Sequence, residues 1–364
     1  MCCSNLFKVT GRKLIILSLF VFLSVALYAR STYFFSIHTL SSNSSAQTIA
    51  TPGDIFSHKL QHIPHNRSLF AAQLVSDHPF LMEKIIHSDN FEYIIRPRVT
   101  CSGQEIELAI CVVISHDNHA GRSVIRRTWG SYANDPKNKA VLVFFVGSED
   151  KESATERRWV RRSRLQEEAS IFGDILQENY IDSYRNLSLK SVSILRWVKT
   201  VCPKTKYILK VDDDMYVNIP FLMTTMQEFV TESSPPSAFI IGSMQVNALP
   251  KRDPSSKWYT SYSVFQEERY PDYVSGPSYV MTSAAAVLLY EATLRVARFW
   301  LEDVYITGLC ARKAKVRVYD SKYFSYGKPL ASGCTFRTMV SGHRYTQEEI
   351  IKIHTELYDP NLKC

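Results

Sequence analysis

No C-x-x-C pair occurs in the chain, which removes the most common zinc-site spacing. No internal repeat appears either, so repeat architectures are excluded. No lysine- and arginine-rich block is interleaved with aromatics, and a net charge of +8 therefore does not read as a nucleic-acid surface. The densest basic cluster, Arg157, Arg158, Arg161, Arg162 and Arg164, alternates with Glu156, Glu167 and Glu168 and reads as a solvated helix face. An EF-hand starting at Asp212 fails as well. Val217 and Met223 stand where that loop needs Gly and Glu.

Long apolar runs are scarce. One uncharged run, Leu14 to Ala29, follows Lys8, Arg12 and Lys13 and is closed by Arg30. As a helix it would be about 24 Å long, short of the ~30 Å hydrocarbon core, but Arg30 can snorkel and Tyr33, Phe34 and Phe35 supply an interfacial belt. A short span suits the thinner membranes of the early secretory pathway. No small-x-small cleavage site follows, so the run is expected to be a type II signal-anchor. Residues 1–13 are then a cytosolic tail, 14–30 the transmembrane anchor, 31–98 a luminal stem and 99–364 the head. The sequons at Asn43, Asn66 and Asn186 all fall after the anchor, in keeping with a luminal head. Of eight cysteines, Cys2 and Cys3 precede the anchor; the other six are expected to form disulfides in an oxidising lumen.

The stem loses periodicity, although its later part, Leu69 to Ile95, is apolar enough to form a helix or pack on the head. Beyond Glu107 the pattern alternates. Leu108 to Ser115, Ala140 to Val146, Ala238 to Ile241 and Val316 to Tyr319 have the length and character of buried strands. Helical stretches are expected at Arg122 to Trp129, Glu152 to Ile171, Leu187 to Val201 and Ser283 to Arg295. Such alternation predicts an α/β fold with a largely parallel sheet covered on both faces.

Asp212, Asp213 and Asp214 directly follow the apolar run Tyr207 to Val211. In extended chain Asp212 and Asp214 point the same way and offer two carboxylates to a hard cation, whereas an Asp-rich turn is the plainer alternative. Glu302 and Asp303 open a predicted helix running toward Lys315. An ionised carboxylate there suits a general base, and helix capping would use the same residues. Around Tyr270, Tyr273, Gly276 and Tyr279, aromatics beside glycine suit either a stacked sugar ring or ordinary core packing.

The order of several segments is more specific than any one of them. Ile125-Arg126-Arg127-Thr128-Trp129 matches I-R-x-T-W, Phe145-Val146-Gly147 follows, and Asp182 to Lys190 resembles D-S-Y-x-N-L-T-x-K. Lys210 to Asn218 matches K-x-D-D-D-x-F-V-N, Tyr270 to Tyr279 matches Y-P-x-Y-x-x-G-x-x-Y, and Glu302-Asp303-Val304 and Ser341-Gly342-His343 complete the series. From Glu107 to His354 the chain resembles the β-1,3-glycosyltransferase superfamily, which includes β-1,3-galactosyltransferases, β-1,3-N-acetylglucosaminyltransferases and fringe-like enzymes.

This resemblance implies a GT-A nucleotide-sugar transferase fold, a Rossmann-like mixed sheet flanked by helices, and inverting transfer from a UDP-sugar to the 3-hydroxyl of an acceptor glycan. Carried onto this sequence, it makes Asp212, Asp214 and His343 ligands of Mn²⁺. Arg122, Arg126, Asp182, Lys190 and Asp213 would surround the nucleotide, Asp303 would be the base, and Tyr270, Tyr273, Gly276, Tyr279 and Glu302 would line a sugar pocket. UDP-galactose is the expected donor, with UDP-N-acetylhexosamine the alternative; a catalytically silent glycan-binding protein or chaperone is the more distant rival. The expected setting is the Golgi membrane, with no nucleic-acid partner and either a homo- or a hetero-dimer allowed. Two departures stand out: Pro277-Ser278 replaces a small Gly-containing pair, and Ile306-Thr307-Gly308 is one residue longer than the V-G step of some vertebrate members. A glycan on Asn186, inside a motif, would crowd the site. For the disulfides, Cys310 with Cys334 would tie two site loops together, and Cys101 or Cys111 with Cys202 is the second expected pair.

Overall fold

The expected apolar runs all fall on strands of an eight-stranded sheet in a computed structural model of the chain. Residues 76–364 are described, apart from 89, 100, 102, 104 and 150–155. The anchor, the first part of the stem and the sequons at Asn43 and Asn66 lie outside the described residues. Among the described residues no helix is long and apolar enough to cross a membrane.

Strands β1 (Tyr93–Ile95), β2 (Leu108–Val113), β3 (Ala140–Ser148), β4 (Ile175–Ile181), β5 (Tyr207–Asp212), β7 (Phe239–Gln245), β8 (Tyr273–Thr282) and β9 (Arg317–Asp320) make the main sheet in the order β1-β4-β3-β2-β5-β8-β7-β9. β2 is fully buried, and its residues alternate between two cores: Ala109, Cys111 and Val113 face one, Leu108, Ile110 and Val112 the other. That double burial explains why no polar residue interrupts the strand, each large apolar side chain contributing about 1.5–3 kcal/mol of transfer free energy.

Helices cover both faces. α1 (His119–Arg127), α2 (Glu156–Phe172), α3 (Leu187–Val201), α4 (Ile219–Ser233), α5 (Ser283–Thr293), α6 (Ala311–Ala314), α7 (Gly333–Phe336) and α8 (Gln347–Leu357) follow in chain order. β2, β3, β4 and β5 are mutually parallel, as expected, but β8 runs antiparallel to both β5 and β7, so the sheet is mixed. A second, two-stranded sheet pairs β6 (Tyr216–Val217) with β10 (Ser341–Gly342).

The later part of the expected stem packs on the head. β1 pairs with β4, and Phe80 joins the core. Arg295 donates to the carbonyls of Leu81 and Glu83.

One expected disulfide forms and one does not. Cys101 bonds Cys202, but Cys334 bonds Cys364 rather than Cys310. Cys310 and Cys111 are buried free thiols, pushed upward in pKa by burial. Cys310 lies within a helix against the core, so it cannot reach the surface segment that carries Cys334.

Candidate active site

Parallel strands β2 and β5 end side by side, with Val113 opposite Asp212, and this common edge collects the chemistry. The aspartate triplet leaves β5 in a turn. Trp129 Nε1 donates to the Met215 carbonyl at 3.1 Å, which gives the last residue of the I-R-R-T-W motif a structural task. β6 follows immediately and pairs with β10, Val217 against Ser341 and Tyr216 against Gly342. That short ladder carries His343 to the triplet. Gly342 is required there, since a Cβ would sit 2.7 Å from the Tyr345 hydroxyl.

Asp212, Asp214 and His343 thus offer ligand atoms within 4.8 Å of one another. His343 Nε2 is 3.3 Å from Asp214 Oδ2, while Nδ1 lies 3.1 Å from the Tyr326 carbonyl. A carbonyl can only accept, so Nδ1 carries a proton; Nε2 is the nitrogen that faces the carboxylates, donating to Asp214 when the ring is charged and open to a cation when it is neutral. Burial lowers the His343 pKa, but the neighbouring Asp214 outweighs it and the net direction is up. Two carboxylates and an imidazole in this arrangement fit a divalent cation of the Mn²⁺ or Mg²⁺ kind. Asp213 turns the other way and accepts from Asn118 Nδ2 at 2.6 Å. Asn118, Asp213, Asp214 and Tyr345 line part of a cavity of about 460 Å³.

Asp303 is partly buried at the start of the helical run after α5. Its Oδ1 accepts from Val304 N at 2.9 Å and its Oδ2 from Gly276 N at 3.3 Å. Burial, reinforced by the adjacent Glu302 charge, raises its pKa to about 6. Glu302 points inward, where Tyr279 donates at 2.8 Å and Ser191 at 2.6 Å. Residues Val304–Cys310 form a π-helix, whose wider turn absorbs the additional residue noted at Ile306-Thr307-Gly308. The fully buried Thr307 hydroxyl accepts from Val274 N at 3.1 Å and donates to the Asp303 carbonyl at 2.7 Å, fixing Asp303 to β8.

Lys210 joins the two halves. Its buried ammonium donates to Asp212 Oδ1 at 2.5 Å and to the Gly276 carbonyl at 2.6 Å, and lies 3.8 Å from Glu302. Sequence reasoning quoted this lysine only as part of a motif. Its position two residues before Asp212 on the same face of β5 was the available signal.

Several expected ligands are otherwise engaged. Arg122 is completely buried and forks onto Glu168 at 2.9 and 2.8 Å, with its remaining donors on the Ser115 and His116 carbonyls. Arg126 pairs with Asp174 at 2.7 and 2.8 Å and with Glu168 at 2.7 Å. Both are engaged by the scaffold, and Arg122 shapes the loop after β2. Glu168, expected on a solvated face, is their common anchor. Burial would raise its pKa, yet the two guanidiniums hold it at about 2.

Lys190 and Asp182 form a buried pair at 2.8 Å, and the same ammonium reaches the Ile114 carbonyl at 2.7 Å. They brace the ends of β2 and β4 beside the cleft. Tyr279 is fully buried and Tyr270 nearly so, its hydroxyl donating to Thr260 Oγ1 at 3.0 Å, so neither offers a ring to a sugar. Tyr273 is half-buried, and Gly276 is the point of close approach to Asp303. Asn186 donates its amide to the Ile181 carbonyl at 2.9 Å.

Residues 120–322 match the family profile described as galactosyltransferase. The chain is a glycosyltransferase of this family. The enzyme is 31% identical over 280 residues to Beta-1,3-galactosyltransferase 1 of Homo sapiens, covering 77% of this chain and 82% of that one. It is 30% identical over 311 residues to the Lactosylceramide 1,3-N-acetyl-beta-D-glucosaminyltransferase of Homo sapiens, covering 83% and 80%. Among solved structures, the WbbM bifunctional glycosyltransferase aligns with a TM-score of 0.38 at 10% identity, over 68% of this enzyme and 49% of that chain. The galactosyltransferase LgtC, solved with donor and acceptor sugar analogs, aligns at 0.36 and 10% identity, over 70% and 98%.

Proposed function

We propose that the enzyme is an inverting β-1,3-galactosyltransferase of GT-A type that moves galactose from UDP-galactose to the 3-hydroxyl of an acceptor sugar on glycoproteins, glycolipids or proteoglycans. We further propose a Golgi enzyme held by the basic-flanked apolar run at 14–30 as a single-pass type II protein. The observation that carries the reaction is the division of labour between carboxylates. Asp303 stands apart from the Asp212, Asp214 and His343 cluster, on the Gly276 backbone, and its raised pKa suits a base near neutrality.

A divalent cation held by Asp212, Asp214 and His343 would neutralise the donor diphosphate and make UDP a good leaving group. The chain's own residues do the rest. Asn118 orients Asp213 at the rim of the cleft, and Lys210 keeps Asp212 in register with the base side of the site. Asp303 Oδ takes the proton of the acceptor 3-hydroxyl as its oxygen attacks the anomeric carbon, opposite the departing UDP. An α-linked donor becomes a β-linked product without a covalent sugar–enzyme intermediate. One carboxylate is enough, in contrast to the paired carboxylates of a retaining glycosidase.

The relationship to a 1,3-N-acetylglucosaminyltransferase supplies the second reading, the same chemistry on UDP-N-acetylglucosamine or UDP-N-acetylgalactosamine. Screening the detergent-solubilised full chain against the three donors with Mn²⁺, read by mass spectrometry, separates them. Exclusive use of an N-acetylhexosamine donor overturns the galactosyl assignment and leaves the mechanism standing.

A further inference from the structure

Three aromatic residues from distant parts of the chain meet around Trp300, three residues before Asp303. Tyr184 follows β4, Trp300 precedes Asp303 by three residues, and Trp258 comes from the long connection between β7 and β8. The Tyr184 and Trp300 rings are 6.3 Å apart, and Trp258 Nε1 donates to the Tyr184 hydroxyl at 3.2 Å. Tyr184 is 44% and Trp258 45% exposed, far above what the core would tolerate for side chains of this size. Two cations lie on this shelf: the Arg185 guanidinium 4.0 Å from the Trp300 ring centre and the Lys257 ammonium 4.1 Å from that of Tyr184.

Neither cation forms an ion pair among the described residues, although the enzyme pairs most of its other cations near the cleft. Exposed rings suit the apolar face of a pyranose, and unpaired cations within reach of them suit a carboxylate or sulfate on the same sugar. Arg185 and Lys257 are held by Trp300, three residues before Asp303 in the chain, and by Tyr184, and among the described residues neither contacts Asp212, Asp214 or His343. A charge on the acceptor, not the donor diphosphate, is therefore what they face.

Resting on the transferase reading above, we propose that Tyr184, Trp258 and Trp300 form an acceptor subsite in which Arg185 and Lys257 select an acidic sugar, a uronate or its sulfated equivalent. This makes an anionic glycan the preferred acceptor over a neutral one of the same linkage. The two cations swing from their rings to the acid group as the sugar stacks.

The test is binding by the full chain in detergent micelles, followed by tryptophan fluorescence. The probes are a glucuronate-containing disaccharide and its neutral glucose analogue, without donor. Binding of the acidic probe should be tighter by about tenfold and weaken as salt rises. The Arg185→Gln/Lys257→Gln variant should abolish that preference, while Lys137→Gln/Lys204→Gln, which removes the same charge from exposed positions at the opposite end of the strands, should keep it. Equal binding of the two probes, or a preference that survives Arg185→Gln/Lys257→Gln, overturns the proposal. Acid-selective binding by a protein that transfers no hexose from any UDP-sugar would instead remove the transferase reading and leave the subsite standing.

Discussion

Lys210 Nζ stands between two carboxylates, 2.5 Å from Asp212 Oδ1 and 3.8 Å from Glu302 Oε2. It links the Asp212 side of the site to the Glu302 and Asp303 side through one buried charge. Burial opposes the ammonium, but the surrounding acids outweigh it and raise its pKa. Lys210→Met should therefore leave Glu302 without its cation and cost about 3–5 kcal/mol of stability, as removing one partner of a buried pair does. Urea unfolding measures this. The Lys210→Met/Glu302→Gln double variant should recover part of the loss, and simple additivity would show that the two charges are not coupled.

Asp303 should set the acid limb of the pH profile. Burial and Glu302 raise it to about 6, and a base works only when ionised, so kcat/KM should climb with pH through about 6 and level off above. Glu302→Gln removes the like charge and should move that limb to lower pH. Asp303→Asn should lower kcat by roughly 10²- to 10⁴-fold with UDP binding retained, and full turnover in that variant would refute the assignment.

The Asp212, Asp214 and His343 cluster predicts a cation requirement that can be measured without turnover. Mn²⁺ should raise the melting temperature of the wild-type chain, and chelation should reverse the rise. His343→Ala should weaken Mn²⁺ binding by more than the roughly 10- to 100-fold that losing a mere supporting partner costs. An unchanged Mn²⁺ titration in His343→Ala would remove the imidazole from the ligand set.

Gly276→Ala tests how closely the base must be held. The added Cβ would lie 3.2 Å from Glu302 Oε2, 3.4 Å from Asp303 Cβ and 3.5 Å from Asp303 Oδ2. A displacement of a few tenths of an ångström is expected, lowering kcat by about tenfold because reacting atoms tolerate little misplacement. Circular dichroism and melting should change little by comparison. Unaltered kcat would mean that Asp303 has room to spare.

Strands β2, β3 and β7 were legible because burial on both faces leaves an apolar run, whereas the edge strand β9 was signalled only by the short stretch Val316 to Tyr319. β4 was not. Its Gln177 and Glu178 look like surface residues, yet both are buried, with Gln177 donating to the Gly147 carbonyl at 3.0 Å and Glu178 paired with Arg196. β8 was hidden because Gly276, Pro277 and Ser278 interrupt its apolar pattern. Among site residues, the Asp212, Asp214 and His343 constellation was legible through the order of motifs. Arg122 and Arg126 were not, because Glu168, 46 and 42 positions away, gives no local sign that it will claim both. The Cys334 pairing failed for the same reason: chain proximity to site loops carries no information about which thiol is within bonding distance.

The antiparallel placement of β8 against β5 has a consequence for how this enzyme can change. Lys210 lies opposite Tyr279 in that ladder, and the β8 backbone at Gly276 supports Asp303. The separation between Asp212 and Asp303 is therefore gauged largely by the main-chain ladder of β5 and β8. The exposed rings of Tyr184 and Trp258, which belong to neither strand, can vary without altering that separation.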